Sequence, residues 1–479
     1  MRVLFVTGEV APFYKSGGLG DVAYALPKEL VKQGVDIRVV APYYSSMPER
    51  FKDSIQDLYW FTIRVGWKTR YVGVKSLVLD GVTYYFIDNQ DYFNRGKLYG
   101  EWDDGERFAF FSMAVIEMME KIDFIPDIIH TNDWHTAMIP ALLVDKYHWV
   151  EAYKNIRKVI TIHNIRFQGI FDSVVLGSLF NTNFALYTDD GVKYNGGTIN
   201  YLKGGINFSD RVTTVSPSYA KEIQTPEFGE GLDGVLRHNS WKLHGILNGI
   251  DYDINNPQTD DLIPYHFSIN DLSGKEKNKL ALQEWLDLPQ NADIPLISCV
   301  SRLTDQKGFH LVQEKLNELL QQDVQVVILG SGEAEFEHSF RYFADVYPDK
   351  CKTIIDFNVQ LAQEIYAASD MFLMPSAFEP CGLSQLISLR YGTLPLVHET
   401  GGLRDTVQPY NVFTGEGDGF SFYDFNSQAM MDTIYRALEV YHQHPQEWQK
   451  MMHQAMTRDY SWEKPAAQYK QLYTELLNG

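Results

Sequence analysis

The sequence predicts an α/β protein of two doubly wound domains, each a parallel sheet between layers of helix. Three observations carry that prediction. The chain is 479 residues long, too long for one ordinary hydrophobic core and enough for two to four domains. Short β-rich runs alternate with helix-like segments, and the alternation restarts in the second half, as in sheets whose parallel strands are joined by crossover helices. Each half also sets a glycine-rich loop just after a strand: "KSGGLGDV" at 15–22 and "TGGLRDTV" at 400–407. Both read Ser/Thr-Gly-Gly-Leu-x-Asp.

In order, "RVLFVT" is a strand and "GDVAYALPKELVKQG" a helix over about 20–34. "DIRVVAP" is the next strand, and "YVGVKSLVLDGVTYYFID" forms a hairpin or edge strands around the Asp80–Gly81 turn. "ERFAFFSMAVIEMMEKI" has helical periodicity, and "PDIIHTND", "KVITIHN" and "DRVTTVSPS" are further buried strands. The polar, Pro- and Asp-bearing stretch 255–275 is the expected linker. A second sheet then follows from "PLISCVSR", "VQVVILGSG", "KTIIDF", "DMFLMPS" and "TLPLVHE", and the chain closes on the helix "EKPAAQYKQLYTELL". The expected domains are 1–255 and 256–460, with the closing helix in 461–479. Two such domains would face one cleft with their glycine loops.

Composition narrows the partners. Hydrophobic residues make up 45% and charged residues 22%, an ordinary globular balance. The formal net charge of -20 disfavours nucleic acid and anionic membranes as bulk partners. An anionic small molecule would need a local cluster of Lys, Arg and backbone N–H groups. Cys299, Cys351 and Cys381 are too scattered for a disulfide framework or a CxxC metal site. No apolar run approaches a membrane span and "VLFV" is too short for a signal sequence, so the chain reads as cytoplasmic. Aromatics reach 14%, which suits sugar clefts, but cores and interfaces use them too.

Several motifs point to chemistry. "GLGDVA" at 18–23 formally fits G-x-G-x-x-A, but no tight turn precedes it and no acid follows the next strand, so a dinucleotide site is disfavoured. Its glycines fit close approach of a substrate to a helix N-terminus better, against the plain alternative of a strand-to-helix loop. "SRLTDQKGFH" sets Arg302 and Lys307 after a buried strand, where a fork and a point charge suit a diphosphate. In "PSAFEPCGLSQL", Glu379 could accept hydrogen bonds from vicinal sugar hydroxyls, and Gly382 opens a helix. Cys381 has no visible catalytic partner and fits packing better than nucleophilic attack. "TNDWHT" (Asp133, Trp134, His135) and "TIHNIRFQG" (His163, Asn164) put polar groups at two more strand ends, where lining a cleft fits better than metal binding.

These stretches, together with "VSPSYAKEI", "LHGILNGIDYD", "RYGTLPLVHETGGLRDTV" and "DGFSF", occur in an order that resembles bacterial glycogen synthases and plant starch synthases over nearly the whole chain. The resemblance implies a GT-B glycosyltransferase with its last helix packed back toward the first domain. It implies transfer of glucose from ADP-glucose to the non-reducing end of an α-1,4-glucan (glycogen or a malto-oligosaccharide), with retention and with no metal or cofactor. It assigns Lys15 to the donor diphosphate and the acceptor end, and Gly17 and Gly18 to close approach. His163 would face the transferring glucose, and Arg302 and Lys307 would neutralise the leaving ADP. Glu379 would grip glucose hydroxyls, helped by the backbone after Cys381 at Gly382. Thr400, Gly401 and Gly402 would offer N–H groups to phosphate, and Asp21 and Asn248 also belong to the implied substrate site. The chain departs from the family pattern in reading KSGGL rather than KTGGL. Phe167 replaces a common Tyr, Phe357 stands where a Tyr stacks near adenine, and Ala377 replaces a larger residue. Ile387, eight positions after Glu379, counts against sucrose-type and lipid-linked transferases, which resemble this fold but carry a second glutamate there. A glucan phosphorylase would need a pyridoxal lysine and a longer chain; a silent glucan-binding protein would not need Arg302, Lys307 and Glu379 together.

Overall fold

Strands with apolar side chains on both faces build two separate sheets. The computed structural model describes all 479 residues and divides into two units, Met1–Asn248 with Trp462–Gly479, and Gly249–Ser461.

In the first unit the strands are β1 Arg2–Val6, β2 Asp36–Pro42, β3 Gln56–Val65, β4 Lys68–Leu79, β5 Val82–Asp88, β6 Ile128–Asn132, β7 Arg157–Ile162, β8 Ile170–Asp172, β9 Thr198–Asn200, β10 Arg211–Thr214 and β11 Leu243–Gly245. Nine of them form one sheet in the order β11-β10-β7-β6-β1-β2-β5-β4-β3, while β8 and β9 pair separately. From β11 to β5 the pairing is parallel, and Val3 to Val6 of β1 are fully buried, as expected of a strand covered on both faces. β4 and β3 then fold back antiparallel. Asp80 and Gly81 both have positive φ, 49° and 79°, which fits a two-residue hairpin turn whose twist matches that of its strands.

In the second unit the strands are β12 Leu296–Val300, β13 Gln325–Leu329, β14 Cys351–Ile354, β15 Met371–Met374, β16 Leu394–His398 and β17 Phe420–Phe422. Their order is β14-β13-β12-β15-β16-β17, all parallel. This is the doubly wound order, with its reversal between β12 and β15. In the first unit the order reverses at β1, between β2 and β6. Ligands of such sheets bind beyond the carboxyl ends of the strands at the reversal, so each unit offers one such place.

Three boundaries differ from expectation. The first helix runs from Gly18 to Lys32, starting inside the glycine loop. The first unit ends at Asn248 rather than 255. The stretch 255–275 is packed into the second unit, not free. The buried Asp260 carboxylate accepts from Tyr391 Oη at 2.6 Å and Gln363 Nε2 at 3.0 Å, and Phe267 lies in the core. These polar residues looked like a linker because their partners lie about a hundred positions away. The closing helix, Glu463–Asn478, buries Ala466, Tyr469, Leu472, Tyr473 and Leu476 against the first unit, a spacing that puts one apolar stripe on one face. No helix is long and apolar enough to cross a membrane.

Candidate active site

Glu9, two residues past β1 and its following Thr7, organises the first glycine loop. Its buried carboxylate accepts from Ser16 N at 3.1 Å, Ser16 Oγ at 2.5 Å, Gly17 N at 3.2 Å and Gly20 N at 3.0 Å. Burial raises its pKa, and these hydrogen bonds oppose the rise. The N–H groups expected to greet a substrate are thus partly occupied from within. A Cβ at Gly20 would come within 2.5 Å of Lys15 Cβ, so the close approach is Gly20's; Gly17 is extended, with open space where its Cβ would be. Lys15 Nζ pairs with Asp21 at 2.7 Å. Both side chains are partly exposed.

Beyond β6 and β7 lies a second polar group. Asp133, held at φ 57°, accepts the His163 backbone N–H at 2.7 Å, and burial pushes its carboxyl up to about 7. Asn132 Nδ2 donates to Val6 O at 3.0 Å, which turns its amide oxygen toward His163 Nε2 at 2.9 Å. His163 therefore carries its proton on Nε2. Burial drops its pKa to about 3, so the imidazole is neutral at ordinary pH. His135, also pushed down to about 3, stacks on Tyr99 with ring centroids 4.0 Å apart. Asn248, the last residue of this unit, is buried with its Oδ1 unpartnered.

In the second unit, Lys307 and Glu379 meet. Lys307 Nζ lies 2.9 and 2.8 Å from the two carboxylate oxygens of Glu379, and Ser376 Oγ donates to one of them at 2.9 Å. The side chains are only 17% and 8% exposed, so this is a largely desolvated pair. Arg302, in the loop after β12, is exposed and makes no ion pair. Gly308, at φ 76°, lets that loop lie against Pro375, where a Cβ would come within 1.9 Å of the carbonyl oxygen.

The loops after β15 and β16 are pressed together. A Cβ on Gly401 would come within 2.0 Å of Glu379 O, and one on Gly402 within 2.2 Å of Cys381 O. Gly402 N donates to Glu379 O at 3.1 Å and Thr400 N to His398 O at 2.9 Å, so neither N–H is open to a phosphate as the sequence suggested. Gln385 Nε2 ties Cys381 O, Gly382 O and Thr406 Oγ1 together, and Gly382 sits at φ 76°. Cys381 is buried in this contact. Phe357, after β14, is exposed with its ring open to solvent. No group of three or more His, Cys, Asp or Glu side chains could hold a metal ion.

The family model described as starch synthase catalytic domain matches residues 2–238, and that described as glycosyl transferases group 1 matches 287–454. A glycogen synthase of Streptococcus agalactiae is 57% identical over 476 residues, 99% of this chain and 100% of the relative. One from Streptococcus gordonii is 56% identical over 477 residues, a coverage of 100% of each chain to the nearest percent. The chain belongs to the glycogen and starch synthase family of glycosyltransferases. A solved family structure, the catalytic domain of starch synthase IV from Arabidopsis thaliana bound to ADP and acarbose, matches with a TM-score of 0.94 and 35% identity, over 100% of this chain and 99% of that one. Sucrose-phosphate synthase from Thermosynechococcus elongatus, 17% identical with a TM-score of 0.62, shares the fold. The GT-B architecture of two Rossmann-like domains is thereby fixed for this synthase-family chain.

Sequence reasoning missed Glu9, Ser376, Gln385 and Asn132. Glu9 left one signal, an acid three residues after the apolar run from Val3 to Val6. Ser376 left another, as a hydroxyl three residues before Glu379.

Proposed function

We propose that this chain transfers glucose from ADP-glucose to the non-reducing end of an α-1,4-glucan, with retention and with no metal or cofactor. The observation that carries this reading is the Lys307–Glu379–Ser376 cluster at the β12/β15 reversal, with Arg302 open in the loop beside it. When the bond from the anomeric carbon to the β-phosphate breaks, the sugar gains positive charge and the diphosphate negative charge. Arg302 and Lys307 meet the developing negative charge, and their preorganised position stabilises the transition state more than the ground state. Glu379 grips sugar hydroxyls, and the exposed Phe357 ring offers a face to the base. His163 faces the glucose as a neutral imidazole, and Lys15 with Asp21 serves the diphosphate and acceptor end. Gly17, Gly18, Gly382 and Gly401 shape the loops, and the unpartnered Asn248 amide oxygen accepts from a substrate hydroxyl. The names of the curated relatives and the ADP and acarbose held by the plant enzyme support the reading.

The test is a donor panel of ADP-, UDP- and GDP-glucose with glycogen as acceptor. ADP-glucose should give at least tenfold higher kcat/KM than UDP-glucose, roughly 1.4 kcal/mol, and EDTA should leave the rate unchanged. Equal rates with both donors would overturn the donor assignment. A rate abolished by EDTA would overturn the metal-free reading.

A further inference from the structure

At the end of the first sheet away from the glycine loops lies a cavity of about 540 Å³. It is lined by the first residues of β7 and β10 and by Glu475 and Leu476 of the closing helix. The Asn132 and His163 loops leave the opposite, carboxyl edge of the same sheet. The run of β7 from Arg157 to His163 separates the two places by about 20 Å at the usual rise of a strand. A molecule held in this cavity is therefore not one that reacts beside His163.

The cavity is cationic in a chain of formal net charge -20. Its side chains include Arg157, Lys158, Arg211 and Lys242 against Asp210 and Glu475. The two ammonium groups are already engaged. Lys158 Nζ pairs with Asp210 at 3.2 Å, and the buried Lys242 Nζ donates to Asn207 O at 3.1 Å and Ser209 O at 2.7 Å. These carbonyls close the helix Tyr201–Phe208, and the negative end of a helix repels anions, so Lys242 removes that obstacle. Burial pulls the Lys242 ammonium down to about 8; Asp210 opposes the fall, and Lys158 and Arg211 add to it.

The two guanidinium groups are not engaged in this way. Neither forms an ion pair, and Arg211 gives one N–H, to Asp210 O at 2.9 Å. Arg211 pairs with Val159, two residues after Arg157, so both arginines leave the same face of the sheet. Glu475 is held by Gln471 Nε2 at 2.8 Å rather than by either of them. The Ser209 hydroxyl lines the same cavity on a residue only 3% exposed and has no hydrogen-bond partner, an arrangement that is costly while nothing meets it. Trp241 lines it too and is 72% exposed, leaving a flat ring face open.

Guanidinium forks match phosphate oxygens two at a time, and a hydroxyl adds a third donor. A cavity of this size admits one small molecule, whereas a long polyanion would meet the acidic field of the rest of the surface. We propose that this cavity binds a small phosphate monoester, with its phosphate on Arg157, Arg211 and Ser209 and its sugar or base against Trp241.

Calorimetry on the whole chain tests this, with ADP at saturation so that the nucleotide site is filled. The probes are inorganic phosphate, ribose 5-phosphate and GMP, with guanosine as the uncharged control. Each phosphate should bind one to one, and guanosine at least tenfold more weakly than GMP. GMP tighter than ribose 5-phosphate identifies a nucleotide as the ligand, and equal affinities a sugar phosphate; either order upholds the site. Arg157→Gln/Arg211→Gln should weaken all three phosphates at least tenfold while ADP affinity and melting temperature hold, and Arg157→Lys/Arg211→Lys should recover part of the loss. Trp241→Ala, at an exposed position, should weaken the two esters and leave inorganic phosphate within about twofold. Absence of binding by all three phosphates at millimolar concentration would overturn the proposal. So would unchanged affinities in the Gln variant, or guanosine binding as tightly as GMP, which would make the cavity a cleft for aromatic rings alone.

Discussion

Lys307 and Glu379 can be pulled apart experimentally, because the structure couples two groups to which the reaction gives different duties. At 2.8 Å and an effective dielectric near 20, their attraction is about 6 kcal/mol before desolvation is subtracted. Removing one partner of a buried pair typically costs about 3–5 kcal/mol, since the other charge is left uncompensated. Glu379→Ala and Lys307→Ala should each destabilise the chain by an amount of that order, and the double variant by clearly less than their sum. Urea denaturation of the four proteins gives that coupling. Activity divides differently. Both single variants should lose about 10²–10³ in kcat, Lys307→Ala through lost stabilisation of the leaving diphosphate and Glu379→Ala through a misplaced sugar. By calorimetry Lys307→Ala should weaken ADP strongly, whereas Glu379→Ala should leave ADP within about threefold, because ADP carries no glucose. Additive stabilities would show that the pair does not form in solution. Equal weakening of ADP by both variants would refute the division of roles.

Glu9→Gln keeps the shape but removes a charged acceptor from the Ser16, Gly17 and Gly20 N–H groups; kcat should fall about ten- to a hundredfold while ADP affinity, measured by calorimetry, stays within about threefold. Gly402→Ala drives a methyl to within 2.2 Å of Cys381 O, and thermal unfolding should show a loss of more than about 2 kcal/mol even though the φ of this residue is ordinary. His130, His135 and His163 are each held neutral with pKa values of about 3, so they contribute stability that is present above pH 6.5 and lost as pH falls toward 3. Asp133, raised to about 7, acts in the opposite sense by keeping its proton as pH falls. Denaturation series between pH 7 and 5 should show net acid lability, and His135→Phe, which keeps the stack on Tyr99, should reduce the slope by up to about 1.4 kcal/mol per pH unit.

The parallel strands were legible because strands buried on both faces are written as unbroken apolar runs, and "LPLV" or "VVIL" can be little else. The glycine loops and the Arg302, Lys307 and Glu379 positions were legible for a related reason: polar groups directly after such runs must emerge at the carboxyl edge of a sheet. Direction was not legible. Nothing in "TGEV" says that Glu9 turns back onto the loop seven to eleven residues later, and nothing near Thr400 says that Gly402 N–H is already taken by Glu379 O. Those contacts depend on how closely two strand-end loops pack. Asp260 misled for the same cause: its partners Gln363 and Tyr391 are near only after folding.

The assignment of residues 462–479 to the first unit has a consequence for biosynthesis. The second unit is, in effect, a 249–461 insertion into the first, so a ribosome finishes the inner unit before it supplies the last helix of the outer one. His130 Nδ1 waits for Tyr473 Oη, 2.5 Å away in the finished protein and 343 positions later in the chain. Until then the strip later covered by Ala466, Tyr469 and Leu472 is bare, and the order of completion inverts the usual amino-terminal-first sequence of domain folding. A nascent chain released short of residue 462 would hold a finished second unit beside an open first one, and that unsealed face is where a chaperone would dwell.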